Sequence, residues 1–368
     1  MVKKGSYGDE IMMDDIQAWK SLERQGLVRG EQPEFETHDS PWYIKILMAF
    51  SGWLASIFLF LFMGFSLFMT LDIFDSEFAM FTLGGVTIFG AYLLLMSSKN
   101  EFIEHAGLAF SLAGQAFIAF ALISGTNDQP HLLSSSFAIL QGALVFLMPS
   151  FVHRVFSATI AFYCINFTLS FLGLPYIGIG LLMLLTSWLW LHEFHYPKYQ
   201  QFISAFAYGS TFSLLYIKGN LFFAQQELVL DLFGIDATIY TQPWHGQALA
   251  CVALIYVTWK LASRYRLATN IHKGVLILTT LLICAASFEM TGLLLGSLLL
   301  ILGYQSSHRL LMGLGILALL TFISAYYYFL DITLLEKSQT LILFGLLLLI
   351  IRWSLKKWVF IKTEAHHE

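Results

Sequence analysis

Charge is what this sequence has least of. Only 12% of the 368 residues are charged, whereas soluble domains carry about 25%. The hydrophobic fraction is 57%, and the mean hydropathy is +0.70. This deficit excludes an ordinary soluble domain and predicts a membrane protein.

Cysteine and basic clusters are scarce as well. The three cysteines, Cys164, Cys251 and Cys284, lie in apolar runs, so we expect each to pack as a small hydrophobic side chain. The formal net charge is −4, and no basic surface suggests a nucleic-acid partner. No glycine-rich phosphate loop follows a strand, and no cofactor is expected.

Long apolar runs are abundant instead. A bilayer core of about 30 Å requires roughly twenty helical residues. From Trp42 onward the chain therefore predicts an all-α, polytopic transmembrane helical bundle with about twelve spans, and at least about ten. The predicted spans are 43–71, 78–97, 102–124, 133–149, 154–173, 175–192, 200–217, 246–263, 274–288, 291–304, 309–329 and 338–354.

The run 274–304 decides the count, because it reads either as one long tilted helix or as a hairpin. Lysine and arginine collect in cytoplasmic loops, and a hairpin keeps Lys273 and Arg309 on the same side. We therefore predict the hairpin and place both termini in the cytoplasm. Only Lys218 and Lys337 then fall on the outer side. The predicted inner basic residues are Lys99, Arg154, Lys198, Lys260, Arg264, Arg266, Lys273, Arg309, Arg352, Lys356, Lys357 and Lys362.

The ends of the chain are polar. Residues 1–40 are expected to form a cytoplasmic tail with a short amphipathic helix, capped by Asp9 and stopped at Gly26. That helix would pack on the bundle, lie on the membrane surface, or dock a partner. Residues 41–357 are the predicted transmembrane domain, and 358–368 a cytoplasmic C-terminal tail.

Three amides lie in the middle of predicted spans: Gln115, Gln141 and Asn166. A polar group at membrane depth is costly and is a functional candidate by default. One interpretation is that the three hydrogen-bond across helices and hold the packing together. The other is that they line a polar pathway through the membrane.

Two histidines, His192 and His195, flank Glu193 at the end of the sixth span. Residues three apart share one helix face, which makes the pair a weak metal candidate. No third ligand is evident, so no metal is predicted. Glu104, His105, His153 and Arg154 also lie at inner helix ends, which permits a cytoplasmic ring of histidine and glutamate.

The stretch 324–338 holds a dense polar and aromatic group between two apolar runs. At the predicted outer face it combines a turn with either an aromatic belt or a binding rim for a partner. The acidic residues would pair with Lys337 across the turn or cap the next helix. The candidate rim residues are Tyr326, Tyr327, Tyr328, Asp331, Glu336 and Lys337.

The C-terminal hundred residues also carry a family resemblance. It rests on Gly292-Leu-Leu-Leu-Gly296, on Leu302-Gly-Tyr304 with His308-Arg-Leu-Leu-Met-Gly-Leu-Gly315, and on Tyr326-Tyr-Tyr-x-Leu-Asp-x-Thr-Leu-Leu-x-Lys-Ser338. With Ser111-Leu-Ala-Gly-Gln115, these motifs resemble the bacterial family labelled domain of unknown function 4401, over about residues 45–360. Phe288-Glu-Met-Thr-Gly292 departs from the expected proline-glycine turn.

The resemblance implies a protein of the bacterial cytoplasmic (inner) membrane, surrounded by membrane lipid. It also implies a GDYXXLXY-type membrane protein as partner, and it implies no activity.

Two classes of function remain open. The first is a structural, assembly or partner-binding membrane component of the cell envelope, with the outer loop near 218–245 and the tyrosine turn as contacts. The second is a transporter of a small, weakly polar solute, although no mid-membrane charge of the kind ion-coupled carriers need is present. An enzyme is least favoured, because no paired acid and base stands out.

Overall fold

The computed structural model describes residues 19–21, 23–26, 42–70, 76–97, 101–126, 129–224, 244–264, 270–288, 292–329 and 333–358. Within these ranges the chain is helical and contains no strand. From Trp42 onward they form twelve α-helices, each at the position of one predicted span. The helices are α1 (Trp42–Thr70), α2 (Glu77–Ser97), α3 (Glu101–Gly125), α4 (Pro130–Leu147), α5 (Phe151–Phe171), α6 (Pro175–His192), α7 (Gln200–Ala224), α8 (Trp244–Arg264), α9 (Asn270–Ala286), α10 (Leu293–Gln305), α11 (Arg309–Phe329) and α12 (Leu334–Trp358).

Five of these helices are long and apolar enough to cross a membrane within the described residues: α2, α3 from Phe102, α4, α5 and α8. Shorter apolar helices include α10, whose 13 residues extend about 20 Å at 1.5 Å per residue. That is less than a bilayer core of about 30 Å. The structure therefore shows several membrane-spanning helices without fixing the number of crossings at twelve.

The surface supports a membrane setting. Large apolar side chains are widely exposed along the helices, for example Phe62 (72%), Phe78 (81%) and Ile139 (75%). Such surfaces are unfavourable in water and ordinary in lipid. The chain is therefore a multi-pass membrane protein.

The helices group in two compact units. The first contains α1, residues 86–97 of α2 and residues 101–114 of α3. There, Gly52 of α1 faces α3, and a Cβ added to this glycine would lie 3.1 Å from the carbonyl oxygen of Phe102. The second unit contains residues 76–85 and all helices from α4 onward, together with the end of α3 from Gln115.

The core of the second unit lies where α6, α7, α8, α10 and α11 meet. Its buried side chains include Met183, Leu214, Leu254, Leu298 and Leu311. Glycines let these helices approach closely, as expected for membrane helices. Gly180 of α6 lies against Leu249, and Gly246 of α8 lies against Tyr176, so α6 and α8 run parallel.

The run 274–304 is two helices, as predicted. α9 ends at Ala286, and α10 begins after Gly292, whose φ of +98° is a conformation that favours glycine. Residues 289–291 lie outside the described part of the chain. The expected turn thus uses a left-handed glycine where the family resemblance leads one to expect proline and glycine.

Several predicted helix ends are wrong by four residues or more, and two of them change where a charged residue lies. α7 continues beyond 217 to Ala224, so Lys218 lies within the helix and not in the outer loop. α12 begins at Leu334, four residues before the predicted start, so Glu336 and Lys337 lie in its first turn. Each of these predicted apolar runs was bounded by a charged residue, Lys218 or Lys337. A single charge does not end a helix.

Most of the N-terminal tail lies outside the described residues, including the predicted cap at Asp9. The described part supports the predicted stop. Residues 19–21 and 23–24 are helical, and Gly26 follows with φ of +67°, donating its N–H to the Glu23 carbonyl at 2.9 Å. This is a common way for a helix to end.

Candidate functional site

Glu193, directly after α6, is a buried carboxylate. Only 3% of the residue is exposed. Its Oε1 accepts a hydrogen bond of 2.8 Å from the Ser204 hydroxyl of α7. Its Oε2 has no hydrogen-bond partner among the described residues. A carboxylate in this position is costly, which makes this end of the helices the candidate site.

Aromatic and hydroxyl side chains continue the polar region deeper between the helices. The Trp190 indole N–H donates to the Thr211 hydroxyl at 3.1 Å. The Tyr208 hydroxyl lies 3.2 Å from Nδ1 of His308. The Trp190 ring meets the rings of Tyr208 and His308 edge to face, with centroids 5.0 and 5.2 Å apart. We call Trp190, Glu193, Ser204, Tyr208, Thr211 and His308 the Glu193 cluster.

Most of this cluster was not predicted from the sequence. A signal was present: Ser204, Tyr208 and Thr211 are spaced four and three residues apart and so share one face of an apolar helix. His308 carried no comparable signal, since it precedes α11 and lies 100 residues from Tyr208 in the chain. Its role depends on tertiary packing.

A polar pocket of about 380 Å³ lies beside the cluster. Trp190 forms part of its wall, together with His195, Arg264, Gln305 and Ser306. The lining therefore draws on the ends of α6, α8 and α10. Arg264 and His195 would favour an anionic or strongly polar occupant.

Among the described residues, the structure adds no further metal ligand beside His192 and His195. Their rings are neighbours, with centroids 5.0 Å apart. Nδ1 of His192 is 2.8 Å from the Trp188 carbonyl oxygen. Among the described residues no group of three or more metal-binding side chains is assembled.

Two of the three mid-span amides bond to each other. The Gln141 Nε2 donates to Oε1 of Gln115 at 2.7 Å. Both residues are buried, with 0% and 2% exposure. The pair links α4 to α3, as the packing interpretation of these amides predicts.

Asn166 lies on a different contact. Its Oδ1 lies against Gly178 of α6. The Ser134 and Thr168 hydroxyls, 2.7 Å apart, fix the levels of α4 and α5 relative to each other. Measured along α4, Gln141 lies about 10 Å from Ser134, in the direction of the 148–150 link. Measured along α5, Asn166 lies about 3 Å from Thr168, in the same direction. Gln141 and Asn166 are thus separated by about 7 Å in depth.

A double-mutant cycle tests this division. We expect Q115L and Q141L to show a coupling energy of about 1 kcal/mol, within the range measured for hydrogen bonds between membrane helices. Q141L and N166L should be additive to within about 0.5 kcal/mol. Unfolding midpoints in mixed SDS micelles give both values. Coupling between Gln141 and Asn166 would instead favour one shared polar pathway.

The candidate rim is partly described. Tyr328 is 78% exposed, and its ring meets that of Tyr327 edge to face at 5.8 Å. The Lys337 ammonium lies 5.4 Å from the Tyr327 ring centroid. Of Tyr326 only the helical backbone is described, and Asp331 lies outside the described residues.

Glu336 caps α12. Its Oε2 accepts hydrogen bonds from the N–H and the hydroxyl of Thr333, at 3.1 and 3.0 Å. The Glu336 N–H in turn faces the Thr333 hydroxyl at 3.4 Å. This is a capping box. Of the two roles expected for Glu336, pairing with Lys337 or capping the next helix, the structure shows the cap.

Several apolar helices, with large apolar side chains exposed on their surfaces, define a multi-pass helical membrane protein. Within that class the chain belongs to the family described as Domain of unknown function (DUF4401), whose model matches residues 41–358. The match extends from just before α1 to the last residue of α12 and confirms the resemblance. Comparison with curated proteins and with solved structures gave no match.

Proposed function

We propose that this protein is a partner-binding or assembly component of the bacterial inner membrane. In this proposal about twelve helices cross the membrane, and both termini lie in the cytoplasm. The proposed partner is a GDYXXLXY-type membrane protein. Membrane lipid surrounds the remaining helix faces.

The pairing of Gln115 with Gln141 is the observation that carries the proposal. A carrier would use mid-membrane amides to replace the hydration shell of a polar solute. Here each glutamine is buried and bonded to the other, and Asn166 packs elsewhere, against Gly178. In this proposal the two glutamines serve helix packing, which favours a protein that acts through its surface.

The proposed contact surface is the rim at the end of α11 and the start of α12. Large side chains are highly exposed there: Tyr328 at 78%, Leu334 at 76% and Leu335 at 66%. Tyrosine combines apolar area with a polar tip and is frequent at interfaces. Lys337 adds a charge beside the Tyr327 ring.

Site-specific photo-crosslinking tests the proposal in native membranes. A benzoylphenylalanine at Tyr328 is expected to capture a GDYXXLXY-type membrane protein, identified by mass spectrometry of the product. The matched control is the same probe at Phe78, at the start of α2, where the exposure is 81%.

Capture from Tyr328 but not from Phe78 would support the proposal. Equal capture at both positions, or adducts with lipid alone at Tyr328, would contradict it. Labelling of a cysteine at either position by an impermeant maleimide added outside the cell checks the proposed orientation.

A transporter is the second candidate, and the Glu193 cluster favours it. One oxygen of the buried Glu193 carboxylate has no hydrogen-bond partner among the described residues. A carboxylate of this kind, in one cluster with Tyr208 and His308, resembles the ionisable groups that mark solute pathways. Glu193 lies at the end of α6, and the cluster borders a polar pocket. Under this hypothesis Glu193 would serve binding at the expense of stability.

A further inference from the structure

An apolar groove of about 300 Å³ runs between α8 and α9. Its walls include Ile255, Trp259 and Ala262 of α8 and Ile277 and Leu281 of α9. The walls are themselves open to the membrane: Trp259 is 68% exposed, and Ile277 and Leu281 about half. The groove is therefore accessible from the lipid side.

The hydroxyl groups in the groove are already satisfied. Those of Thr258, Ser263 and Thr280 donate to the carbonyls of Leu254, Trp259 and Leu276 on their own helices, at 3.0, 2.9 and 2.8 Å. A water molecule would find few donors or acceptors there. The groove thus suits a hydrocarbon occupant.

The length of the groove matches one leaflet. From Ile255 to Ser263 the wall extends about 12 Å along α8. Half of a bilayer core of about 30 Å is about 15 Å. One acyl chain would lie along the groove, with its headgroup at the end marked by Ser263.

That end is basic. Lys260 and Arg264 are exposed on the last turns of α8. Neither helix contains an acidic residue. The charge complements a phosphate group at the membrane surface.

We propose that this groove is a binding site for an anionic phospholipid, with one acyl chain between α8 and α9 and the headgroup at Lys260 and Arg264. The site is independent of the proposed partner, since the rim at Tyr328 takes no part in it. Trp259 provides an aromatic side chain along the acyl chain. Lipid that contacts the other helix faces without preference requires neither an apolar groove nor basic side chains.

Native mass spectrometry of the full chain in detergent tests the site. The probes are phosphatidylglycerol and phosphatidylcholine with identical acyl chains. We expect preferential retention of phosphatidylglycerol. A262F should fill the groove and abolish the tightly retained lipid, whereas A143F, on an exposed position of α4, should retain it.

A second variant tests the proposed headgroup contact. K260Q/R264Q is expected to lower phosphatidylglycerol retention by up to about thirtyfold, the usual effect of two basic residues beside an anionic surface, and to leave phosphatidylcholine unchanged. R309Q, at the exposed start of α11, is the charge control. Equal retention of both lipids by the unmodified protein, or unaltered retention by A262F, would overturn the proposal.

Discussion

Replacing Gly303 by alanine is expected to lower the free energy of unfolding by about 3 kcal/mol or more. The added Cβ would meet the backbone of α11, 2.8 Å from the Met312 Cα. Gly315 on the other helix is equivalent, since its Cβ would lie 2.5 Å from the Leu300 nitrogen. Backbone cannot move aside as a side chain can, so the two helices must separate. Unfolding midpoints in mixed SDS micelles measure the loss.

Gly313 is the matched control for this prediction. It lies on α11, the partner helix, next to Met312. It is exposed, and a Cβ added there would meet nothing within 4 Å. G313A should be neutral or stabilising by up to about 1 kcal/mol, because alanine is the better helix former. If G303A and G313A have the same stability, the close approach of α10 and α11 is wrong.

These glycines also define how α10 and α11 pack. Gly296 lies against Leu319, and Gly303 lies against Met312. Moving seven residues along α10 thus moves the contact seven residues back along α11. The helices are antiparallel over their length, and the small residues on their shared face carry that packing.

The helices were largely predictable from the sequence, because a membrane-embedded backbone must satisfy its own hydrogen bonds. The break in 274–304 came from charge distribution, not from hydrophobicity, and α9 and α10 are indeed separate helices. The ends were less predictable. The capping box of Thr333 and Glu336 starts α12 earlier than the apolar run does.

The candidate site was predictable only in part. Gln115, Gln141 and Asn166 were predictable as candidates because polar groups are rare in apolar runs. That Gln115 and Gln141 bond to each other and not to Asn166 was not predictable, since it depends on helix rotation and depth. The contact of Tyr208 with His308 joins residues 100 positions apart, and no local pattern specifies it.

Removing the Ser204 hydroxyl is expected to destabilise the protein through Glu193. S204A would leave a buried carboxylate without its 2.8 Å hydrogen bond. A hydrogen bond to a charged group contributes about 1.5–3 kcal/mol, so we expect S204A to lower the free energy of unfolding by about 2 kcal/mol. In an E193Q background, where no charge has to be solvated, the same substitution should cost less than about 1 kcal/mol. Unfolding midpoints of the four proteins give the difference.

Ser210→Ala is the control, since Ser210 is a fully buried serine of α7. Among the described residues its hydroxyl donates only to the Ala207 carbonyl of its own helix. Its loss should change stability little. Equal costs of S204A in both backgrounds would mean that the hydrogen bond does not stabilise the carboxylate. If E193Q itself proved more stable than the unmodified protein, Glu193 would be retained against a stability cost. That result would favour a binding role for the Glu193 cluster, and with it the transporter over the partner-binding component.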